Sequence, residues 1–381
     1  MTLALSILGL LLVSASLVGS LLLVWAAWLA GRLGRGAPPR PRDVPVTLLK
    51  PLHGAEPRLA ANLASFFASA GAGPAVQMLC GVHRSDDPAH AVAAGLEGVR
   101  PIDAMTIVVG GTARGANPKI ANLIAMLPAA RHDVLVLSDS DIAVAPDYLD
   151  RVVEALDRPG IGAVTCLYRG RGDAGFWSRI GAMGLDLHFL PSVLIGLGTG
   201  MAHPCMGSTI AIRRETLARI GGFAAFADRL ADDHAIGAAV RGLGLRVVVP
   251  DMLVTHGCAE PDFAALVRHE LRWNATVAGI DPAGFAGSIV LHPLPLALIG
   301  TALMGFPALG WGPIAFSLAA RAAMGWRLRR ITCMRGTSLA LIPLRDLLAF
   351  ALFVAGFFVR SVDWRGRRLE TEDGRIAATE S

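Results

Sequence analysis

The chain has 381 residues, a net charge of +5 and 53% hydrophobic residues, with a mean hydropathy of +0.52. These values lie above the soluble average and leave room for one sizeable domain plus membrane segments, which excludes an ordinary soluble protein. High-GC coding accounts for the arginines that carry the charge, no nucleic-acid partner is expected, and Cys80, Cys166, Cys205, Cys258 and Cys333 lie too far apart for a zinc ribbon or a disulfide framework.

Residues 3–31 are apolar and uncharged, longer than the about 20 residues of helix that cross a bilayer. No basic leader precedes them, whereas Arg32, Arg35, Arg40 and Arg42 follow. A transmembrane helix over 1–31 is therefore expected rather than a cleaved signal, with the next domain on the cytoplasmic side. That compartment also suits the unpaired cysteines. Residues 32–43 read as a basic, proline-rich linker along the membrane surface.

From Val44 short apolar runs alternate with helical patterns, as in an α/β domain with a mostly parallel sheet. Strands are expected at 46–49 and 76–82, and helices at 59–70 and 88–96. Lysine occurs only at Lys50 and Lys119, each at or just past the carboxyl end of an expected strand, where ligands of such sheets bind. Asp87, between the second strand and its helix, either accepts hydrogen bonds from a nucleotide or caps the helix before Pro88. A strand at 106–109 leads into a glycine-rich loop in which Arg114 and Lys119 supply positive charge for phosphates. The loop lacks the Walker ending.

After a helix at 119–126, the run Val134-Leu-Val-Leu137 stops at Ser138-Asp139-Ser140-Asp141. In extended chain, residues i and i+2 project to one side, so Asp139 and Asp141 can converge on one cation or diphosphate. The competing reading is a polar turn into the helix at 148–156. Further strands are expected at 162–167, 207–212 and 245–249. The basic turn 168–173 reads as solvated, and 176–190, with Asp186 and His188, as an amphipathic, membrane-touching segment on the acceptor side. Asp232 and Asp233 open a helix, where the dipole favours them in any case. A fixed carboxylate there would also serve as a general base toward a hydroxyl.

The helix at 262–276 places His269 and Arg272 on one face, and Arg272 and Trp273 offer a diphosphate fork and an apolar wall. Hydrophobic segments return at 288–309, 312–325 and 338–359, the last interrupted by Arg345 and Asp346, which either neutralise each other in a bundle or mark a re-entrant segment. The expected organisation is thus a domain over 44–285 with an interfacial helix near 262–280, two or three C-terminal spans over 286–360 and a polar tail over 361–381.

The ordered motifs Leu48-Leu-Lys-Pro-Leu-His-Gly54, Asp86-Asp-Pro88, Asn117-Pro-Lys-Ile120, Ser138-Asp-Ser-Asp141, Ala231-Asp-Asp233 and His269-x-x-Arg-Trp273 resemble the ceramide glucosyltransferase family of membrane-bound inverting glycosyltransferases over nearly the whole chain. The runs 166–171, 189–193 and 268–273 are most similar to its bacterial hopanoid-biosynthesis branch. The resemblance implies an A-type glycosyltransferase fold, Rossmann-like with a mixed, mostly parallel sheet, between N- and C-terminal transmembrane helices.

It also implies a UDP-sugar donor, a divalent cation (Mg2+ or Mn2+), a membrane lipid acceptor (hopanoid polyol or sphingolipid) and a multi-pass place in the bacterial inner membrane with the catalytic domain in the cytoplasm. Transfer of N-acetylglucosamine from UDP-GlcNAc to bacteriohopanetetrol is the expected reaction. Alternatives are UDP-glucose with ceramide or diacylglycerol, a non-catalytic nucleotide-binding scaffold, and a polymer synthase, for which the C-terminal spans are too few.

Residue by residue, Asp87 would contact the nucleotide, with Lys50 and Lys119 beside the donor. Asp139 would meet the metal and diphosphate; the alternate spacing, not the resemblance, adds Asp141 as a second metal contact. Asp233 would be the base, with Asp232 next to it, and Arg272 and Trp273 would close over the diphosphate. Asp141 stands where many animal relatives have glycine, and His269 where glutamine or arginine is common.

Overall fold

A computed structural model describes residues 3–71, 73–97, 104–110, 115–308, 311–333, 338–359, 361–364, 367–372 and 375–378. The chain divides into two compact units, one of Met1–Leu33, Arg169–Ala202 and Glu260–Gly366, the other of Gly34–Tyr168, His203–Ala259 and Arg367–Ser381. In chain order, α1 (Leu3–Ala30) belongs to the first unit. The second unit then begins with β1 (Val46–Pro51), α2 (Leu59–Ala70), β2 (Val76–Val82), α3 (Pro88–Ala94), β3 (Ala104–Val109), α4 (Pro118–Met126), β4 (Val134–Leu137), β5 (Ile142–Ala143), α5 (Tyr148–Leu156) and β6 (Ile161–Val164). The chain changes units within β7 (Leu167–Gly172) and continues through α6 (Phe176–Gly184), a π-helical turn Leu185–Phe189 and α7 (Leu190–Thr199). It returns for β8 (Ile210–Arg213), α8 (Arg214–Arg219), α9 (Asp232–Gly242), β9 (Arg246–Val248) and β10 (Leu253–Cys258). Helices α10 (Phe263–Ile280), α11 (Pro282–Gly287), α12 (Pro293–Leu303), α13 (Trp311–Ile331) and α14 (Ile342–Gly356) complete the first unit's helices.

The sheet unit is built on a seven-stranded sheet of order β3-β2-β1-β4-β8-β6-β9. Strands β3, β2, β1 and β4 run parallel, with Val46 facing both Val76 and Val134. β8 is antiparallel to β4, and Leu137 faces Ile210. Successive strands step from β1 to β2 on one side and the chain returns to β4 on the other, so a topological switch point lies between the carboxyl ends of β1 and β4. Because β8 runs the opposite way, its amino end meets those same carboxyl ends. Leu49, Leu79, Leu135, Leu137, Ile120, Leu123, Ile210, Ile236 and Val240 form the core beneath them, each contributing about 1.5–3 kcal/mol of burial. The all-buried patterns of β1, β2 and β4 explain why these strands read as continuous apolar runs.

In the helical unit, α1, Phe176–Thr199 and Leu339–Gly356 are long and apolar enough to cross a membrane. The expected span at 288–309 is instead a bent pair, Pro282–Leu291 with Pro293–Leu303, meeting at 75°; Pro293 cannot donate to the preceding turn, and residue 309 lies outside the described residues. Small residues let backbones approach: a Cβ on Gly9 would sit 2.7 Å from the Gly300 carbonyl and one on Gly300 2.7 Å from that of Gly9. The segment 176–190 is the first half of a continuous helical run to Thr199 packed in this unit. The strand expected at 162–167 is β6, which ends at Val164, and the stretch 168–173 read as a solvated turn is instead mostly strand β7, with Tyr168 buried; β5 and β10, which pair antiparallel, were not foreseen. Within the stretch read as a polar tail, Arg367–Glu372 pairs antiparallel with Arg375–Ala378.

Candidate active site

The apolar run of β4 ends at Leu137, and the next residue keeps contact with β1 through Ser138 N donating to Leu49 O at 3.2 Å. The loop Ser138–Asp141 therefore sits at the switch point. Lys50, at the carboxyl end of β1, is fully buried beneath it. Its Nζ donates to Ser138 Oγ at 3.3 Å and to the Asp139 carbonyl, and lies 4.1 Å from the centre of the Phe66 ring. Burial lowers its pKa to about 8, against the pull of Asp139 and Asp141. Lys50 was expected to face the donor; in the fold it is a strut that holds the backbone of Asp139.

Lys119, in the first turn of α4, stands differently. Its Nζ is 2.8 Å from Asp139 Oδ1 and 3.4 Å from Asp232 Oδ2. Burial opposes its charge, but Asp139, Asp232 and Asp233 outweigh that and hold the ammonium above its ordinary pKa. Asn117 caps α4 by accepting from Ile120 N and donates to Asp232 Oδ1 at 3.2 Å and to Arg229 O at 2.8 Å. This fixes the start of α9 against the start of α4. Burial raises Asp232 to about 6, opposed by Lys119 and reinforced by Asp233. Burial also raises Asp233, which is partly exposed and accepts from Gly207 N at 2.9 Å and His234 N at 2.7 Å.

Gly207 joins the two acidic groups. It lies in the turn before β8, its carbonyl accepts from Asp139 N at 3.3 Å, and its amide holds Asp233. A Cβ there would meet Asp139 Oδ2 at 2.7 Å and Lys119 Nζ at 2.8 Å, so a larger residue would push into the carboxylate. Asp141 faces β10: Asp141 O accepts from Gly257 N, and its Oδ2 is 3.4 Å from His256 Nε2. The His256 ring stacks on Tyr168 at 5.4 Å, and the buried Tyr168 phenol is pushed up by burial and by Asp233, Asp141 and Asp139.

The donor set suits a hard divalent cation that would take its remaining ligands from another oxygen-bearing group. Among the described residues, Asp141 Oδ1 is buried with no hydrogen-bond partner and no group of three or more His, Cys, Asp or Glu side chains able to hold a metal occurs, while the Asp139 and Asp141 side chains are each about a third exposed. Two carboxylates at alternate positions with further ligands from phosphate oxygens is the arrangement such ions accept.

Asp87 caps α3: its Oδ1 accepts from Ala89 N at 2.9 Å and Gly54 N at 2.8 Å, and its Oδ2 lies 3.4 Å from His53 Nδ1. It ties the loops after β1 and β2 together, so the capping reading describes its present bonds. Arg114 lies outside the described residues. His269, Arg272 and Trp273 belong to the helical unit, on α10, which Asp262 caps at 2.7 Å. The His269 ring pairs with Glu260 and meets Trp273 edge-on at 4.6 Å. Tyr168, His256 and Gly207 were not foreseen. The one available signal was that tyrosine occurs only at Tyr148 and Tyr168, both buried.

A family model described as Glycosyl transferase family 21 matches residues 10–377. Ceramide glucosyltransferase 1 of Caenorhabditis elegans is 26% identical over 219 residues, 57% of this chain and 46% of that protein. Ceramide glucosyltransferase 3 of the same organism is 24% identical over 234 residues, 60% of this chain and 49% of that protein. The chain thus matches about half the length of these curated relatives. A mannosyltransferase from Pyrobaculum calidifontis, solved in complex with GDP-Man and Mn2+, has 21% identity and a TM-score of 0.50, covering 91% of this chain and 99% of that one. That likeness establishes the A-type glycosyltransferase fold.

Proposed function

The chain belongs to glycosyl transferase family 21, and from that premise we propose that it is an inverting, membrane-bound glycosyltransferase that moves a sugar from a UDP-sugar to a lipid hydroxyl. The observation that carries this reading is the bridge at Gly207, which holds Asp233 by its amide and Asp139 by its carbonyl. On this reading a base and a diphosphate-facing carboxylate share one strand end. Asp233, raised by burial, takes the proton from the acceptor hydroxyl as that oxygen attacks the anomeric carbon from the face opposite UDP. A single displacement inverts the configuration, by the same logic that separates inverting from retaining glycoside hydrolysis.

Asp139 and Asp141, with His256 behind Asp141, would hold a divalent cation, Mg2+ or Mn2+. When bound, that ion supplies positive charge for the departing diphosphate. Lys119 sets the spacing of Asp139 and Asp232, Asp232 tunes Asp233 through the charge the two share, and Lys50 fixes the loop from beneath. Asp87 orders the neighbouring loops for the nucleotide. Arg272, Trp273 and His269 join the proposal by their motif, as the group that acts on the leaving diphosphate.

Within that class we take UDP-GlcNAc and bacteriohopanetetrol as donor and acceptor, on the runs 166–171, 189–193 and 268–273. UDP-glucose with ceramide is the second reading, supported by the names of the C. elegans relatives. The charge-free helix α1 followed by Arg32 and Arg35 supports a bacterial inner-membrane protein with its sheet unit in the cytoplasm. Incubating membranes with each UDP-sugar against each lipid decides the matter: a hopanoid product from UDP-GlcNAc supports the first reading, a glucosylceramide the second, and no glycolipid from any pair defeats both. Asp139→Ala should abolish dependence on added cation; unchanged dependence would remove Asp139 from the metal site.

A further inference from the structure

The helical unit buries two arginines in different ways. Arg321, 1% exposed, uses every nitrogen: Nε and Nη2 donate to Asp346, Nη1 to Leu187 O at 2.8 Å, and Nη2 also meets His188 Nε2 at 3.0 Å. Arg345, 4% exposed, uses one. Its Nη2 donates to Glu270 Oε1 at 2.7 Å, while Nε and Nη1 are buried without a partner among the described residues. Room for this side chain comes from Gly184, where a Cβ would sit 2.0 Å from Nη2.

His292 Nδ1, also buried without a hydrogen-bond partner among the described residues, belongs to the bend between Leu291 and Pro293. Arg345 is within electrostatic reach of both His292 and His188. The His292 ring lies 6.1 Å from that of His188, 5.6 Å from Phe350 and 4.9 Å from Phe353. Arg345, Phe350 and Phe353 all belong to α14, which packs against α12 beside His292, so unpaired polar atoms and an aromatic wall occur in one part of the helical unit, the polarity pattern of an amphiphile's head and first carbons.

We propose that Arg345 and His292 bind the hydroxylated, uncharged polar head of a lipid within the helical unit. Charge selects the chemistry. Glu270 neutralises Arg345 and Asp346 neutralises Arg321, so an added phosphate would bring a charge with no counterpart, whereas hydroxyl or amide oxygens satisfy the waiting N–H groups without one. The inference rests on the reading that the protein acts on a lipid hydroxyl, and it names the residues that would recognise that lipid.

The test uses the full chain in phosphatidylcholine nanodiscs doped with ceramide, diacylglycerol or phosphatidic acid, in an Asp233→Asn background so that binding is read without turnover, by native mass spectrometry of retained lipid. Arg345→Lys keeps the charge opposite Glu270 but lacks the Nε and Nη1 donors, so it should fold, as checked by thermal unfolding, and retain ceramide or diacylglycerol about tenfold less well or worse. His292→Ala should weaken retention in the same direction. Equal retention by Arg345→Lys, or retention of phosphatidic acid in place of the neutral lipids, overturns the inference. Arg345-dependent retention of a lipid that receives no sugar leaves this site standing and removes that lipid as acceptor. Transfer to a lipid whose retention ignores Arg345 leaves the function standing and removes this site.

Discussion

The two units bury charge by opposite rules. In the helical unit Arg321 meets Asp346 and Arg345 meets Glu270, so each guanidinium has its carboxylate. In the sheet unit Asp139, Asp141, Asp232 and Asp233 gather around Lys50 and Lys119. The negative excess raises Lys119 and, with burial, raises Asp232 to about 6. Balanced pairs in an apolar bundle hold helices in place at little net gain. A partly exposed surplus of carboxylates is poised for a cation and a proton. On the proposed reading, the carboxylate surplus of the sheet unit serves chemistry, while the Arg321–Asp346 pair of the helical unit serves structure.

Asp233→Asn should separate the two rules most sharply. Transfer should fall by about 10²–10⁴-fold with UDP-sugar binding retained in equilibrium titration; unchanged turnover would reassign the base. Arg321→Leu tests the balanced side. It leaves Asp346 buried without its guanidinium, with only His188 Nε2 at 3.2 Å, so stability should drop by about 3–5 kcal/mol in denaturant unfolding. The double variant Arg321→Leu with Asp346→Leu should recover most of that loss.

A smaller effect is expected from Gly207→Ala, since the added Cβ falls 2.7 Å from Asp139 Oδ2. Overpacking of this kind costs about 1–3 kcal/mol, and activity should fall further than stability alone explains, seen as reduced kcat in protein that is still folded. The mildest change is with pH. Activity should decline by about half near pH 6 and continue down on the acid side, as the Asp232–Asp233 pair takes up a proton. Stability moves the other way. A carboxylate raised from 3.8 to about 6 contributes stability that is full below the unfolded pKa and lost as pH rises through the folded one. A rate profile flat from pH 7 to 5 would contradict the assignment.

Much of the sheet unit was legible because its elements obey short periodicities. Leu59–Ala70, Val76–Val82 and Tyr148–Leu156 fall where the pattern placed them, and the Asp-Ser-Asp run stands at the end of β4 as expected. Arg345 and Asp346 were not legible in that way. Neighbours in sequence point about 100° apart on a helix and do not face each other, so they joined different helices rather than one another. Lys50 and Lys119 looked equivalent in the sequence. Their roles diverged because β1 is central and the loop after β4 closes over Lys50, while Lys119 opens a helix beside the carboxylates.

By itself, then, the chain's order of residues determined the element types, the apolar segments, the loop that carries Asp139 and Asp141, and the family resemblance, since each of these is written within a few turns or one strand. Tertiary structure alone decided which lysine became a strut, that Gly207 must lack a side chain, that Tyr168 and His256 face the acidic groups, and that Arg345 answers Glu270. Those outcomes depend on contacts such as Lys50 with Asp139, 89 residues apart, and Arg345 with Glu270, 75 apart. Such contacts are set by strand order and helix packing, which no local periodicity encodes.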